Sequence, residues 1–318
     1  MKAERFFRRY LMTKSENLIG AFLCANNRLN ANRAKIDSYN VFPVPDSDTG
    51  TNLCRTFKAA ALAVKGNEAL SAEELFEKAS KAMLRSARGN SGVIFSALFK
   101  GFSDHILKNG LETDSLSAAF DSALRNACRV LSRPIFKGTV LSVVIACRDA
   151  LLNNVFSSLS DAVAFLVPVC QKATEKTGEE QKQAKIAGVA DSGAAGFTVI
   201  IEGFDSFLSK KTLPLPDADD GMQREIIFKK LSPTSEIAFA YCTEFIIIKK
   251  GFFPLSSLES TLKMLGDSVI VAEDEDIIKV HLHTNNPDRA LAAAMRHGML
   301  TDIKIDNMAL QIQRNGNR

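Results

Sequence analysis

The feature that most constrains this chain is a change of hydrophobic period near residue 211. From about Thr13 to Lys210 apolar residues recur at three and four, as in Leu18, Phe22 and Leu29, or Leu75, Ala79, Ala82 and Met83. That spacing is the 3.6-residue repeat of helices with one buried stripe. It predicts eight helices, near 13–29, 50–65, 72–87, 91–108, 115–131, 139–157, 160–177 and 192–209, with a short extra one over 31–39. Links such as GNEALSAEE and KNGLETDS are short and polar, which makes sequential helices antiparallel neighbours. The expected architecture is therefore an all-α eight-helix antiparallel barrel or bundle. The stretch Lys210–Gly221 holds two prolines, three aspartates and a glycine and reads as a linker. Beyond it, IAFAYCTEFIIIKK, SVIVAED, DIIKVHLHT and Thr301–Asp306 read as strands, with helices over Leu255–Leu265 and from Pro287 to Gly298. The order β-α-β-β-α-β is a smaller α/β domain of the split βαβ kind. The chain thus divides into residues 1–210 and 222–318, joined by a linker at 211–221.

Length agrees with two domains: 318 residues exceed the roughly 250–300 at which single cores stop growing. Hydrophobic residues at 46% and charged residues at 24% exclude a disordered or fibrous chain. No apolar run approaches the roughly 18–20 residues of a membrane span, so no integral membrane segment is expected. With a net charge of +4, no Trp and three Tyr, neither a phosphate-backbone footprint nor a stacking platform is visible, and nucleic acid is not the expected partner. The basic start MKAERFFRRYLMTK lacks a signal-peptide core and reads as a solvated helix face or arm, with a membrane-surface contact as the alternative. Cys24, Cys54, Cys128, Cys147, Cys170 and Cys242 lie far apart, with no CxxC, and read as reduced thiols of a cytoplasmic protein.

The most informative loop is Asn40-Val-Phe-Pro-Val-Pro-Asp46-Ser-Asp48-Thr-Gly50-Thr-Asn52. In an extended loop Asp46 and Asp48 can face one point, and Pro43 and Pro45 stiffen the approach. Two carboxylates held together repel unless a cation sits between them. All-oxygen ligands that leave room for water or phosphate suit Mg²⁺. Thr49–Asn52 then opens a helix, whose free N–H groups attract phosphate. The bland alternative is a turn with an N-cap. Three further polar, glycine-containing segments open helices: Arg88-Gly-Asn-Ser91-Gly92, Lys137-Gly-Thr139 and Asp191-Ser-Gly193-Ala-Ala-Gly196. These are the second, fourth, sixth and eighth helix starts. In an up-and-down arrangement alternate helices start at the same end, so a nucleotide can lie across all four.

A second cluster lies beyond the linker. His281 and His283 alternate on one strand and so share a face, about 6.5–7 Å apart at Cα. The neighbouring first strand carries Cys242. Cys with two His, and water or Glu244 as a fourth ligand, suits Zn²⁺; the alternative is a polar stripe beside a buried thiol. His105 and His297 stand alone and read as solvated.

VFPVPDSDTGTNL, SARGNSGVIFSALFKGF, KGTVLSVV and GVADSGAAGF resemble, in order, the motifs of the nucleotide-binding L subunit of dihydroxyacetone kinase. They are more similar still to the catalytic subunit of bacterial fatty acid kinase. AYCTEFIII, KVHLHTNNPDRAL and IKIDNMALQ resemble that subunit's middle domain. The resemblance spans roughly residues 13–312. It implies an eight-helix barrel holding ATP or ADP and Mg²⁺ at one rim. Asp46 and Asp48 would then hold two Mg²⁺ as the catalytic carboxylates, and Asn40 would stand in for a third carboxylate with a one-residue offset. Asn52, Ser91 and Gly92 would contact phosphate, with Thr139, Asp191 and Gly193 around ribose and adenine. It also implies a metal on Cys242, His281 and His283; because the phosphate motifs all lie in the other domain, a structural or interface role is expected of it.

The implied activity is an ATP-dependent phosphotransferase acting on an acyl carboxylate presented by a fatty-acid-binding partner protein, with a homodimer possible. A carboxylate nucleophile needs no general base, which fits the lack of an obvious His near the nucleotide motifs. The rivals are a kinase of dihydroxyacetone or another small polyol, and a non-catalytic ADP-binding regulatory or scaffold protein. Three residue departures from the family pattern put full activity in question: Ser47 replaces the usual glycine, Lys137 the usual glutamate, and Asp191-Ser-Gly-Ala the usual Asp-Ala-Gly-Gly; Ser47 and Lys137, with the missing third domain, favour the last rival. The family's C-terminal partner-docking domain has no counterpart before Arg318, as expected of a fragment, a short homologue or a protein with another acceptor.

Overall fold

The computed structural model describes residues 14–41, 45–131, 137–209 and 238–310. The helical part runs α1 (Lys14–Ser38), α2 (Thr49–Val64), α3 (Ala72–Ser86), α4 (Gly89–Asn109), α5 (Leu116–Leu131), α6 (Val140–Leu152), α7 (Leu159–Glu180), a short α8 (Lys182–Ala187) and α9 (Ser192–Leu208). Each long helix packs on the next, and α9 packs back on α1, which closes the barrel. Closure depends on small residues. A Cβ on Gly203 would lie 2.3 Å from the Cα of Ala25, so only glycine lets α9 approach α1 this closely. Phe22, Phe57, Phe76, Phe95 and Phe99 interlock inside the barrel.

The elements differ from the sequence expectation at several places, among them the unexpected short α8 and a last strand that begins at Gly298 rather than Thr301. Residues 31–38 continue α1 instead of forming a separate helix, because Leu29 and Ile36 stay on its buried stripe. Helix α6 stops at Leu152, before the exposed run at Asn153–Val155. Helix α7 runs on to Glu180 through an internal Pro168. Starts are better defined than stops. Ser71 and Glu74 form a reciprocal capping box on α3.

The second part is β1 (Tyr241–Lys249), α10 (Leu255–Leu265), β2 (Gly266–Glu273), β3 (Ile277–Thr284), α11 (Pro287–Met295) and β4 (Gly298–Asn307). Its sheet has the order β2-β3-β1-β4, with every neighbouring pair antiparallel, as the split βαβ pattern requires. Phe245, Ile247, Ile278, Val280 and Leu282 face α10 and α11 and form a separate core with them. The opposite face does not meet solvent alone. Ile246, Ile270, Ala272 and Ile277 pack on Leu84, Ala87, Val93, Ala97 and Val130 of the barrel. Ion pairs Lys81–Glu275 (3.1 Å) and Lys100–Asp274 (3.4 Å) flank this contact. The linker expected at 211–221 lies outside the described residues, as do residues 42–44 and residues 1–13 of the basic start.

Candidate functional site

The loops that open α2, α4, α6 and α9 line one cavity of about 260 Å³, and the inner face of the sheet forms its opposite wall. This corrects one expectation. Cys242, His281 and His283 do not lie apart from the phosphate motifs; they border the same space as Asp46, Asp48, Asn52, Ser91, Thr139, Asp191 and Gly193.

The α2 start is built from α1. Asp37 accepts from the Thr51 amide (2.9 Å) and from the Thr51 hydroxyl (2.9 Å), so the helix is capped by a neighbour's carboxylate. Asp48, at the N-cap position, makes no side-chain cap bond. The N-cap alternative therefore does not account for it, and its carboxylate is turned to Asp46 instead. Asn40, itself buried, donates its Nδ2 to Asp46 Oδ1 at 2.6 Å. In this orientation Asn40 positions Asp46, and only its Oδ1 is left to act as a ligand. Gly50 is required here: a Cβ would meet the Arg33 carbonyl oxygen at 2.4 Å. Ser47 takes the place of the usual glycine at φ +57°, so the loop keeps a left-handed residue at the cost of local strain.

Burial and then the neighbouring Asp48 charge push the Asp46 carboxyl up to about 8. The Asn40 amide and the backbone N–H of Asp46 itself act in the other direction and are outweighed. A site that raises a carboxylate in this way gains most from a cation placed between the two acids.

At α4, Gly89 adopts φ +62°, and a Cβ there would collide with the Asn52 amide. Gly89, Asn90 and Ser91 line the cavity, whereas Gly92 sits behind the wall, against Thr56. At α6, Thr139 caps through its hydroxyl, accepting from Leu141 N. Asp191 Oδ2 accepts from Ala194 N (2.8 Å) and Val140 N (3.1 Å), tying the starts of α9 and α6 together. Desolvation outweighs these amides and raises Asp191 to about 6. Lys137, the charge reversal, is exposed and does not line the cavity.

The sheet wall is a grid set by register. Cys242 pairs with His283 and Glu244 with His281 across β1–β3, while Glu244 pairs with Lys304 and Cys242 with Asp306 across β1–β4. Alternation puts all six on one face. Ligand atoms of Cys242, His281 and His283 lie within 4.8 Å of one another, the one group of three such residues among those described that can hold a metal. His281 Nδ1 faces Glu244 Oε1 at 3.1 Å, and its Nε2 is buried with no partner. His283 Nδ1 is 3.6 Å from Asp267. Burial disfavours charge on both imidazoles. At His281 the Cys242 sulfur and Glu244 carboxylate overcome it, raising the group to about 10, whereas His283, next to that charge, falls to about 3. The cluster thus favours one positive charge between the thiol and the carboxylate, which a proton on His281 or a bound cation can supply. A thiol, two imidazoles and an orphaned ring nitrogen fit a borderline cation such as Zn²⁺.

Lys304 and Asp306 form an ion pair on the cavity wall and have no place in the sequence expectation. The period-two spacing in IKIDN is the signal that points to them. Asp37 and the Ser268–Ile270 bulge of β2 carry none, since each acts through a fold-dependent contact.

Comparison with known proteins gives two family matches. Residues 43–206 match the DAK2 domain, and residues 238–315 match the FakA-like middle domain of fatty acid kinase. An uncharacterized protein of Staphylococcus haemolyticus is 31% identical over 293 residues, covering 89% of this chain and 53% of the relative. One of Staphylococcus saprophyticus is 31% identical over 286 residues, at 87% and 52%, and one of Staphylococcus aureus 31% over 293, at 89% and 53%. The chain spans about half the length of these curated relatives. Among solved structures, the dihydroxyacetone kinase of C. freundii aligns with TM-score 0.45 at 19% identity, over 59% of this chain and 34% of that one. The same enzyme in complex with AMP-PNP and Mg²⁺ aligns with TM-score 0.46 at 18% identity, over 59% and 33%. Among the described residues no helix is long and apolar enough to cross a membrane. On the strength of these family matches, the chain belongs to the DAK2-domain kinase family and carries a middle domain of the FakA-like fatty acid kinase type.

Proposed function

We propose that this chain is the nucleotide-binding and phosphotransfer part of a fatty acid kinase-like enzyme, moving the ATP γ-phosphoryl to an acyl carboxylate presented by a fatty-acid-binding partner. The observation that carries the reading is the Asp46–Asp48 pair: two carboxylates turned to each other on the cavity rim, facing three helix starts with backbone amides. Phosphoryl transfer asks the protein mainly for positioning and charge neutralisation. Asp46 and Asp48 would hold Mg²⁺, with Asn40 orienting Asp46. Asn52 and the Gly89–Ser91 turn would hold phosphates, with Gly92 packing behind them, and Thr139, Asp191 and Gly193 would frame the nucleoside. The domain division, 1–210 and 222–318, belongs to the same reading. Cys242, His281 and His283 would hold Zn²⁺. When bound there, that ion supplies a fixed positive charge and a Lewis acid at the cavity wall.

A carboxylate acceptor is already an anion and needs no base. One observation favours the second reading, a small polyol acceptor. His281 and His283 border the cavity, so imidazole is within the site after all. The test is transfer of labelled γ-phosphate from Mg²⁺·ATP to a long-chain fatty acid with a fatty-acid-binding protein, set against transfer to dihydroxyacetone. Label on the acyl group is expected. Label only on dihydroxyacetone would select the polyol reading, and nucleotide binding without any transfer the regulatory one.

A further inference from the structure

Glu244 links the two parts of the chain through several polar contacts. It sits on β1 with its side chain at 0% exposure. Its Oε1 accepts from the Gly89 amide at 2.5 Å and lies 3.1 Å from His281 Nδ1. Its Oε2 lies 3.4 Å from Arg88 Nη1 and 3.9 Å from Lys279 Nζ. Lys279 is itself fully buried, and its ammonium has no hydrogen-bond partner. One oxygen thus joins two places of different use: the first turn of α4, which lines the cavity with Gly89, Asn90 and Ser91, and the His281 imidazole of the metal cluster, whose Nδ1 also lies 3.9 Å from Cys242 Sγ and whose Nε2 is buried with no hydrogen-bond partner.

A carboxylate taken fully out of water is costly, and well-packed apolar residues would hold two domains together more cheaply. The apolar contact of Ile246, Ile270 and Ile277 with the barrel already does that. What an apolar side chain at 244 would not do is fix the tautomer and direction of His281 while also setting the α4 amides. Metal-binding imidazoles commonly hand their second nitrogen to a carboxylate, which orients the ring. Here that carboxylate is shared with the turn proposed to carry phosphate.

We propose that Glu244 is a positioning residue that couples the two ligand sites of the cavity, so that occupation of the Cys242/His281/His283 cluster by a metal ion and occupation of the α4 turn by nucleotide strengthen each other. The proposal rests on the nucleotide and metal assignments above and adds the link between them. Glu244 Oε1 touches both the Gly89 amide and His281 Nδ1, so a ligand that fixes one of these groups acts on the other through it. Coupling of this kind is reciprocal: each ligand improves the other's affinity by the same factor.

The test is calorimetric titration of the full chain with Zn²⁺, held at low free concentration by a competing chelator, with and without saturating Mg²⁺·AMP-PNP. Zn²⁺ is expected to bind at least about 5-fold more tightly with nucleotide present, the low end of common couplings. Mg²⁺·AMP-PNP should gain the same factor when Zn²⁺ is present. In Glu244→Gln each ligand still binds alone, but the factor falls to within about twofold of one. Because that change strands two cations, Glu244→Gln/Lys279→Met is the second variant, with one buried charge fewer to leave unpaired. A folded variant of either kind that keeps the full factor overturns the proposal. So does a wild-type chain that binds both ligands independently. A wild-type chain that gives no heat with Zn²⁺ alone, or none with Mg²⁺·AMP-PNP alone, overturns it together with the corresponding site assignment.

Discussion

The two walls of the cavity treat a buried carboxylate in opposite ways. On the helical rim, Asp46 faces Asp48, accepts from the Asn40 amide and is pushed up to about 8. On the sheet wall, Glu244 is fully buried, yet it is held down to about 2. Desolvation acts to raise both acids. At Glu244 it is overcome by His281, Lys279 and the Gly89 amide, whereas at Asp46 the charge of a second acid adds to it. A carboxylate whose charge the protein favours belongs to the structure. One that the protein pushes toward its neutral form calls for an ion from solution.

The sharpest way to break this comparison is to remove the rim pair. Asp46→Ala or Asp48→Ala should weaken Mg²⁺·ATP binding by on the order of 100-fold or more, since one close ion contact is worth about 4 kcal/mol at an effective dielectric near 20. Helix content should stay unchanged by circular dichroism. Equal ATP affinity in Mg²⁺ and in excess chelator would end the metal assignment.

The sheet wall should fail differently. Glu244→Leu is expected to cost about 3–5 kcal/mol of unfolding free energy in urea, by leaving Arg88 and Lys279 without their shared carboxylate. Adding Lys279→Met should restore part of it, and a double variant no better than the single would show that the Lys279–Glu244 attraction is negligible. His283→Ala comes next. Elemental analysis of protein offered Zn²⁺ should fall from near one equivalent to below about a tenth, and the stabilisation that bound metal gives should vanish with it. Wild-type protein already below that level would refute the cluster.

Asp191 sharpens the comparison through pH, because it too is desolvated on the helical rim. Its carboxyl rises from 3.8 to about 6 on folding. Between those values the native state holds a proton that the unfolded chain has lost, so stability falls as pH rises through that window. Asp191→Asn should remove that slope while keeping the cap, as seen in unfolding midpoints from pH 4 to 7. The smallest effect is expected at Ser47. Ser47→Gly should stabilise by about 1 kcal/mol, because glycine takes the left-handed φ of +57° without a Cβ clash. A loss of stability would mean that the serine side chain contributes contacts that outweigh the strain.

Most of the fold is legible in the chain. Periods of three and four mark the barrel helices, and the change to alternation marks the four strands in order. A separate helix over 31–39 is a misreading, because Asn30, Asn32 and Asn40 look like punctuation while the buried stripe through Leu29 and Ile36 continues beneath them. The polar loops at Asp46–Asn52, Arg88–Gly92, Lys137–Thr139 and Asp191–Gly196 can be found by residue type alone, since few structural roles need glycine, acid and hydroxyl together at a helix start.

Local spacing alone settles the pieces: which segments are helix or strand, which loops carry carboxylates and glycines, and that Cys242, His281 and His283 share a sheet face. It can do so because 3.6- and 2-residue periods act within a few residues. Only the tertiary structure decides that the sheet turns this face onto the barrel rim, so that both clusters border one cavity and Glu244 reaches Gly89 across 155 positions of chain. No local period records that contact. It follows from where Ile246, Ile270 and Ile277 find apolar surface on α3, α4 and α5, and burial of that surface has no direction written in the residues themselves.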